Sequence, residues 1–269
     1  MIHPWHAVWF GVVEGLTEFL PISSTGHLIL LAHFLHLEGE AVKTFTIVIQ
    51  LGALGAVLGL YRARVASMWR GLRGSDDAGR RLLINLLVGF LPVAVAGLLL
   101  HRAVKAALFN VSSVTWALAM GGLLMLGVDR RRRGAPVSTK TVHSLTMLEA
   151  LLIGGAQCVS LWPGTSRAMV TIVAGLWCGL PAAAAAEYSF LLALPTLGTA
   201  TIFEALGGAP RLLQEVGVLS SAIGLFASAL TAWLAIRGFV AYLSRRGLAL
   251  FGWYRLGLAA ALLLVMSQP

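Results

Sequence analysis

Apolar residues run in long blocks along this chain, and two of the blocks are broken in the middle by short polar runs. Six unbroken runs, at about 44–61, 82–100, 111–128, 186–206, 216–236 and 250–266, are long enough to cross a bilayer, since a crossing takes roughly 20 residues of helix. The other two blocks, 6–36 and 145–180, are interrupted by Pro21-Ile-Ser-Ser-Thr-Gly26 and by Pro163-Gly-Thr-Ser166. Each half-segment has about 15 residues, or about 22 Å of helix. That falls short of a hydrocarbon core about 30 Å thick. Both regions are therefore expected to be re-entrant helix–break–helix pairs. Irregular backbone at such depth is tolerated only where protein or a wet cavity covers it.

The order is one re-entrant pair and three spans, and then the same again. This divides a single membrane domain, 1–269, into halves 1–134 and 140–269. Three spans is an odd number, so the second copy must be inverted. Identity between the halves is faint: Pro21-Ile-Ser-Ser24 matches Pro163-Gly-Thr-Ser166 at an offset of 142. The predicted fold is an all-α polytopic membrane protein, with six transmembrane helices and two re-entrant helix pairs arranged as an inverted repeat. Composition agrees: 58% of residues are hydrophobic and 12% charged, against about 25% charged in a soluble domain.

The net charge of +9 raises the question of nucleic acid, and the distribution of charge answers it. Loops 62–81, 129–143 and 237–249 hold 14 of the 20 Lys and Arg. Lys43, Arg102, Lys105 and Arg211 lie on the opposite side, and Arg167 and Arg255 fall inside apolar segments. This is a membrane-topology pattern, and it places both termini outside the cytoplasm. The first re-entrant pair then enters from the outer face and the second from the cytoplasm, so their tips should meet near the middle. Arg130 to Arg133 reads as a cytoplasmic anchor on anionic lipid, and no nucleic-acid partner is expected. Cys158 and Cys178 lie in apolar stretches without a Cys-x-x-Cys spacing and read as small buried hydrophobes. The N-terminus lacks a basic n-region, so no cleaved signal peptide is expected.

Chemistry concentrates at the two breaks. Glu14 and Glu18, four residues apart, share one helical face, and acids at membrane depth are costly unless paired, metal-bound or functional. Pro21 ends the first half-helix, and Ser23, Ser24 or Thr25 can cap the second. At the second break Thr165 or Ser166 can cap a helix whose first turn carries Arg167. Free N–H groups at both N-termini, with the helix dipoles, favour an anion, and Arg grips phosphate oxygens in a fork. Two carboxylates beside a phosphate call for an intervening Mg²⁺ or Ca²⁺, with Glu14 and Glu18 as ligands. Ser24 or His27 can supply a nucleophile, with the other as acid or base. Gln50 and Glu187, in the spans that follow each pair, are placed around the substrate with Gly26. Gly11 and Gly15 allow close backbone approach on or near the glutamate face.

These residues resemble the undecaprenyl-pyrophosphate phosphatase family, the bacitracin-resistance type of integral membrane phosphatase. The resemblance rests on Glu14-Gly-Leu-Thr-Glu18-Phe-Leu-Pro-Ile-Ser-Ser-Thr-Gly-His27, on Lys43-Thr-Phe45 with Ile49-Gln50-Leu-Gly52, and on Gln157-Cys with Trp162-Pro-Gly-Thr-Ser-Arg167. It extends to Glu187-Tyr-Ser-Phe-Leu-Leu-Ala-Leu-Pro195, nearly the whole chain. It implies hydrolysis of a C55 polyprenyl pyrophosphate to its monophosphate and inorganic phosphate, recycling the lipid carrier of bacterial envelope polysaccharides. It also implies a divalent cation, a multi-pass location in the bacterial plasma membrane and a site open to its outer face. By the same carry-over Glu14, Glu18, Ser24, His27 and Arg167 are catalytic, and Ser166, Arg167 and Thr171 bind the pyrophosphate. One departure stands out: where the family commonly has Ser-Arg-Ser, this chain has Ser166-Arg167-Ala168. The alternative reading is a transporter or flippase for the polyprenyl monophosphate, because inverted repeats with broken helices also build transporters. A homodimer is compatible with the sequence.

Overall fold

The computed structural model describes residues 2–37, 39–108, 110–132, 134 and 138–266. Among them are twelve α-helices and no strand. The first half contains α1 (Pro4–Thr17), α2 (Ser24–Phe34), α3 (Glu40–Val48), α4 (Gln50–Leu60), α5 (Arg62–Leu72), α6 (Asp77–Leu108) and α7 (Val111–Arg132). The second contains α8 (Met147–Gln157), α9 (Arg167–Trp177), α10 (Ala182–Glu215), α11 (Val218–Leu243) and α12 (Ala249–Met266). Both interrupted blocks are helix–break–helix pairs, α1–α2 and α8–α9, where the polar runs lie. A short 3₁₀ turn, Cys158–Leu161, extends α8 toward its break.

Four helical stretches are long and apolar enough to cross a membrane: Glu40–Leu60, Asp77–Leu100, Val111–Arg132 and Val218–Leu243. Met147–Leu161, Arg167–Trp177 and Ala249–Leu264 are shorter and apolar. Large apolar side chains also face outward, with Leu98 84% and Phe226 72% exposed, an arrangement that suits lipid and not water. The chain is a multi-pass membrane protein.

Of the six expected spans, those at 186–206 and 250–266 are not among these four stretches of the described residues, and two further details depart from the expected elements. The stretch 62–81 is not a plain loop: its first part is α5, which packs on α6. Asp76 then caps α6 by accepting from the Gly79 amide at 2.9 Å and from the Ser67 hydroxyl at 2.7 Å. The span predicted at 44–61 is interrupted at Ile49, between α3 and α4. Arg133 and the side chains of Arg102, Lys105 and Arg211 lie outside the described residues.

Glycine sets the closest helix contacts. α1 lies on α11, where a Cβ at Gly15 would stand 2.3 Å from the Ser228 carbonyl oxygen. α8 lies on α6 in the same manner, with a Cβ at Gly154 falling 2.1 Å from the Gly89 carbonyl oxygen. Neither approach admits a side chain, and small residues are what let membrane helices pack this closely. α7 and α12 pack together, and a cluster of Phe19, Leu86, Ile153, Ile172, Phe190 and Phe239 fills the space between the pairs.

Candidate active site

Each break ends in the same local device. Ser23 caps α2 and Ser166 caps α9, both non-glycine residues in the left-handed region, at φ 72° and 70°. That conformation costs about 1–3 kcal/mol per residue and persists where the surroundings hold it. The Ser23 hydroxyl accepts from the Gly26 amide at 3.4 Å, and the Ser166 hydroxyl from the Met169 amide at 3.2 Å. The capping residues are therefore Ser23 and Ser166, which pairs the halves at an offset of 143, one residue beyond the offset suggested by the prolines. Ser24 becomes the counterpart of Arg167, each the first residue of its half-helix.

Those two residues converge. The Ser24 hydroxyl donates to Glu18 Oε2 at 2.6 Å, and Arg167 Nη2 donates to Glu18 Oε1 at 2.9 Å. All three are buried. The ion pair joins residues 149 positions apart and brings the two breaks to one point. Arg167 is further fixed by Nη1, which donates to the Ser189 carbonyl at 3.0 Å and lies 3.3 Å from its hydroxyl. The Phe19 ring lies beneath the guanidinium, 5.4 Å from ring centroid to Cζ. Thr171 does not reach Glu18: its hydroxyl bonds to the Arg167 carbonyl and, at 2.6 Å, to the Ser189 hydroxyl. It is linked to Arg167 through Ser189.

Glu14 contrasts with Glu18. It is fully buried, and among the described residues neither carboxylate oxygen has a hydrogen-bond partner. Arg167 Nε is likewise buried and unpartnered. A buried acceptor and a buried donor thus lie open beside a satisfied ion pair, where most buried polar groups are hydrogen-bonded.

Among the described residues the His27 ring bonds to groups other than the Ser24 hydroxyl. Its Nδ1 lies 2.7 Å from the Ser23 carbonyl oxygen, which can only accept, so Nδ1 carries the proton. In the neutral ring Nε2 then accepts from the Tyr254 hydroxyl at 2.7 Å, and the two rings stack. The Ser24 hydroxyl is hydrogen-bonded to Glu18, and His27 is bound to α12. Thr165 is buried in the second break, its amide donating to the Trp162 carbonyl. Thr25 occupies the first turn of α2.

Gln50 and Glu187 are not brought to Glu18. Gln50 opens α4 and accepts from the Thr201 hydroxyl at 3.4 Å. Glu187 lies near the start of α10 and pairs with Arg64 at 2.7 Å. It lines a separate cavity of about 450 Å³ with Tyr61, Arg64 and Lys140. Sequence placed it around the substrate, in the span that follows the second pair, but it lies near the start of α10 and pairs with Arg64 of the basic stretch 62–81.

Known proteins match this sequence along nearly its whole length. The profile described as bacitracin resistance protein BacA matches residues 7–261. The chain belongs to the BacA family. Among its relatives, an undecaprenyl-diphosphatase of Sorangium cellulosum is 51% identical over 259 residues, covering 96% of this chain and 84% of that protein. An undecaprenyl-diphosphatase of Nitrosomonas europaea is 44% identical, covering 96% and 93%, and undecaprenyl-diphosphatase 2 of Rhodospirillum rubrum is 43% identical over the same shares.

Three residues of this BacA-family site were not assigned from sequence. Ser189 lay within the matched stretch Glu187–Pro195 without a role of its own, and Tyr254, a phenol in an apolar helix, gave no signal. Arg255 did give one, as a charge inside an apolar segment, but its partners are backbone carbonyls and leave no trace in the sequence.

Proposed function

We propose that this chain is an undecaprenyl-diphosphatase, hydrolysing undecaprenyl pyrophosphate to the monophosphate and inorganic phosphate. The observation that carries the mechanism is the Ser24 hydroxyl 2.6 Å from a carboxylate that Arg167 holds in place. Ser24 Oγ attacks the terminal phosphorus and Glu18 accepts its proton. The P–O bond to the lipid monophosphate breaks, and water then releases phosphate from the serine. Arg167 Nε and the open amides at the N-termini of α2 and α9 receive the charge that develops on the phosphate oxygens.

A divalent cation, Mg²⁺ or Ca²⁺, fits Glu14. Both of its oxygens are buried and open, whereas those of Glu18 are committed to Ser24 and Arg167. Hard cations are commonly held by one or two carboxylates together with substrate phosphate oxygens. When bound, the cation would offset the repulsion between Glu14 and the pyrophosphate.

The topology that suits this chemistry is six spans and two re-entrant pairs in an inverted repeat, with halves 1–134 and 140–269. Support comes from reciprocal packing: α1 of the first half lies on α11 of the second, α8 of the second on α6 of the first, and α7 on α12. With the basic loops cytoplasmic, α1 enters from the outer face of the bacterial plasma membrane and the site opens there. A carrier needs an anion site but not a hydroxyl poised on a carboxylate, so the Ser24–Glu18 pair favours hydrolysis over carriage. The test is phosphate release from undecaprenyl pyrophosphate by purified protein, with Ser24→Ala as control. Release undiminished in Ser24→Ala would remove Ser24 from the reaction, and no release by the parent protein would refute the hydrolase.

A further inference from the structure

We propose that Arg255 is a positioning residue for this reaction, setting the two breaks against each other so that Ser24 and Arg167 meet on Glu18. The proposal rests on the hydrolase reading above. Arg255 lies within α12 and is fully buried. Its Nη1 donates to the Pro21 carbonyl of the first break at 3.3 Å, and its Nη2 to the Gly164 carbonyl of the second at 2.9 Å. Nη2 and Nε also reach the carbonyls of Ala117, at 2.9 Å, and Leu118, at 3.2 Å, on α7. Among the described residues its hydrogen-bond partners are carbonyls only.

The arrangement answers two needs at once. Carbonyls at a helix break have no helical partner, and buried ones must find another donor. One planar guanidinium satisfies a carbonyl from each break, joining segments 234 and 91 residues away in sequence. A lysine carries three donors on a flexible stem and cannot span the same set. α7 makes room for the group with glycine: a Cβ at Gly121 would stand 2.4 Å from Arg255 Nη2. The neighbouring Tyr254 reaches His27 from the same helix. The α12 segment thus holds α2, the first break and the second break at one place each. Alignment of reacting groups is sensitive to this control, because a 1 Å misplacement can cost about a hundredfold in rate.

The experiment compares the parent protein with R255M, R255K, G121A and the double variant G121A/R255M. Amide hydrogen exchange is read by mass spectrometry over residues 18–27 and 162–170, beside kcat, KM and thermal melting. Arg255→Met is expected to speed exchange at both breaks together while peptides of α6 and α8 keep the parent rate. Its kcat should fall about a hundredfold with KM within about threefold, since a misaligned site loses transition-state contacts more than ground-state binding. Arg255→Lys should recover part of the rate. Gly121→Ala, which displaces the guanidinium without removing it, should lower kcat in the same direction, and the double variant should be no worse than R255M, because both act through one group. The proposal is overturned by parent-like exchange at either break in R255M, by faster exchange spread evenly over the chain, or by additive losses in the double variant. If the parent releases no phosphate while R255M still loosens both breaks, the hydrolase reading fails and the placement of the breaks by Arg255 stands.

Discussion

Ser24 and Arg167 open their half-helices at equivalent positions, each directly after a left-handed serine cap, and they hold opposite oxygens of one carboxylate, Glu18. Equivalent places in the two halves thus carry a hydroxyl and a cation. Glu18, from the first half alone, aligns both.

Glu18→Gln is expected to lower kcat by about 10²–10⁴-fold, the range of a general base. It also strands a buried guanidinium, and removing one partner of a buried ion pair costs about 3–5 kcal/mol. Steady-state kinetics with thermal melts should show both losses. A normal melting temperature would mean that Arg167 finds another partner.

Glu14→Gln should separate activity from stability. Among the described residues neither oxygen of Glu14 has a hydrogen-bond partner to lose, so melting should change little. The Mg²⁺ or Ca²⁺ concentration for half-maximal rate should rise about tenfold or more, since carboxylate charge tunes the affinity of such sites. Titration of chelated protein with each ion is the measurement. An unchanged requirement would remove Glu14 from cation binding.

Arg167→Lys retains charge but not the fork that spans Glu18 and Ser189. Losing a charge-assisted bond costs roughly 1.5–3 kcal/mol, or about ten- to a hundredfold in kcat/KM. Arg167→Ala should lose more, and the buried pair makes both variants less stable than the parent. Kinetics equal to the parent's, together with a large fall in melting temperature, would make Arg167 a packing residue only.

Glu187→Gln tests the residue that sequence placed near the substrate. Its pairing with a partly exposed Arg64 contributes about 0–1 kcal/mol. Activity should remain within about threefold of the parent, the change expected of a residue remote from the reacting groups. A loss comparable to that of Glu18→Gln would bring Glu187 back into the site.

Asp76 gives a pH signature outside the membrane. The Gly79 amide, then the Ser67 hydroxyl, hold its carboxyl below the ordinary value of 3.8. A depressed folded-state value contributes stability that is present above the unfolded value and fades as pH falls through the folded one. The melting-temperature gap between the parent protein and Asp76→Asn should therefore be constant above about pH 5 and close below about pH 4. A gap that widened on acidification would contradict this.

Much of the site was legible because membrane depth makes polar residues expensive. Glu14, Glu18 and Arg167 stood out for that reason alone, and Pro21 and Pro163 marked both breaks. Spacing could not say which serine takes the left-handed cap, and so the halves were aligned one residue short. Ser24 and His27 are three residues apart in sequence, which suggested a pair. In the folded chain Ser24 turns to Glu18 while His27 turns to Tyr254, on a helix 227 residues away. Arg255 was visible as a charge but not as a clamp, since backbone carbonyls are the same in every sequence. The break at Ile49 left no sign, because Val48-Ile49-Gln50 carries neither Pro nor Gly.

The shared carboxylate makes the site a joint possession of two stretches of gene. Glu14, Glu18 and Ser24 are encoded before residue 134, and Arg167, Ser189 and Arg255 after residue 138. A gene divided between those points would yield two fragments, each holding a helix–break–helix pair and neither holding all the residues gathered around Glu18. Hydrolysis would return only when both were inserted into the same membrane and found each other, so the enzyme could serve as a reporter of fragment assembly within a bilayer.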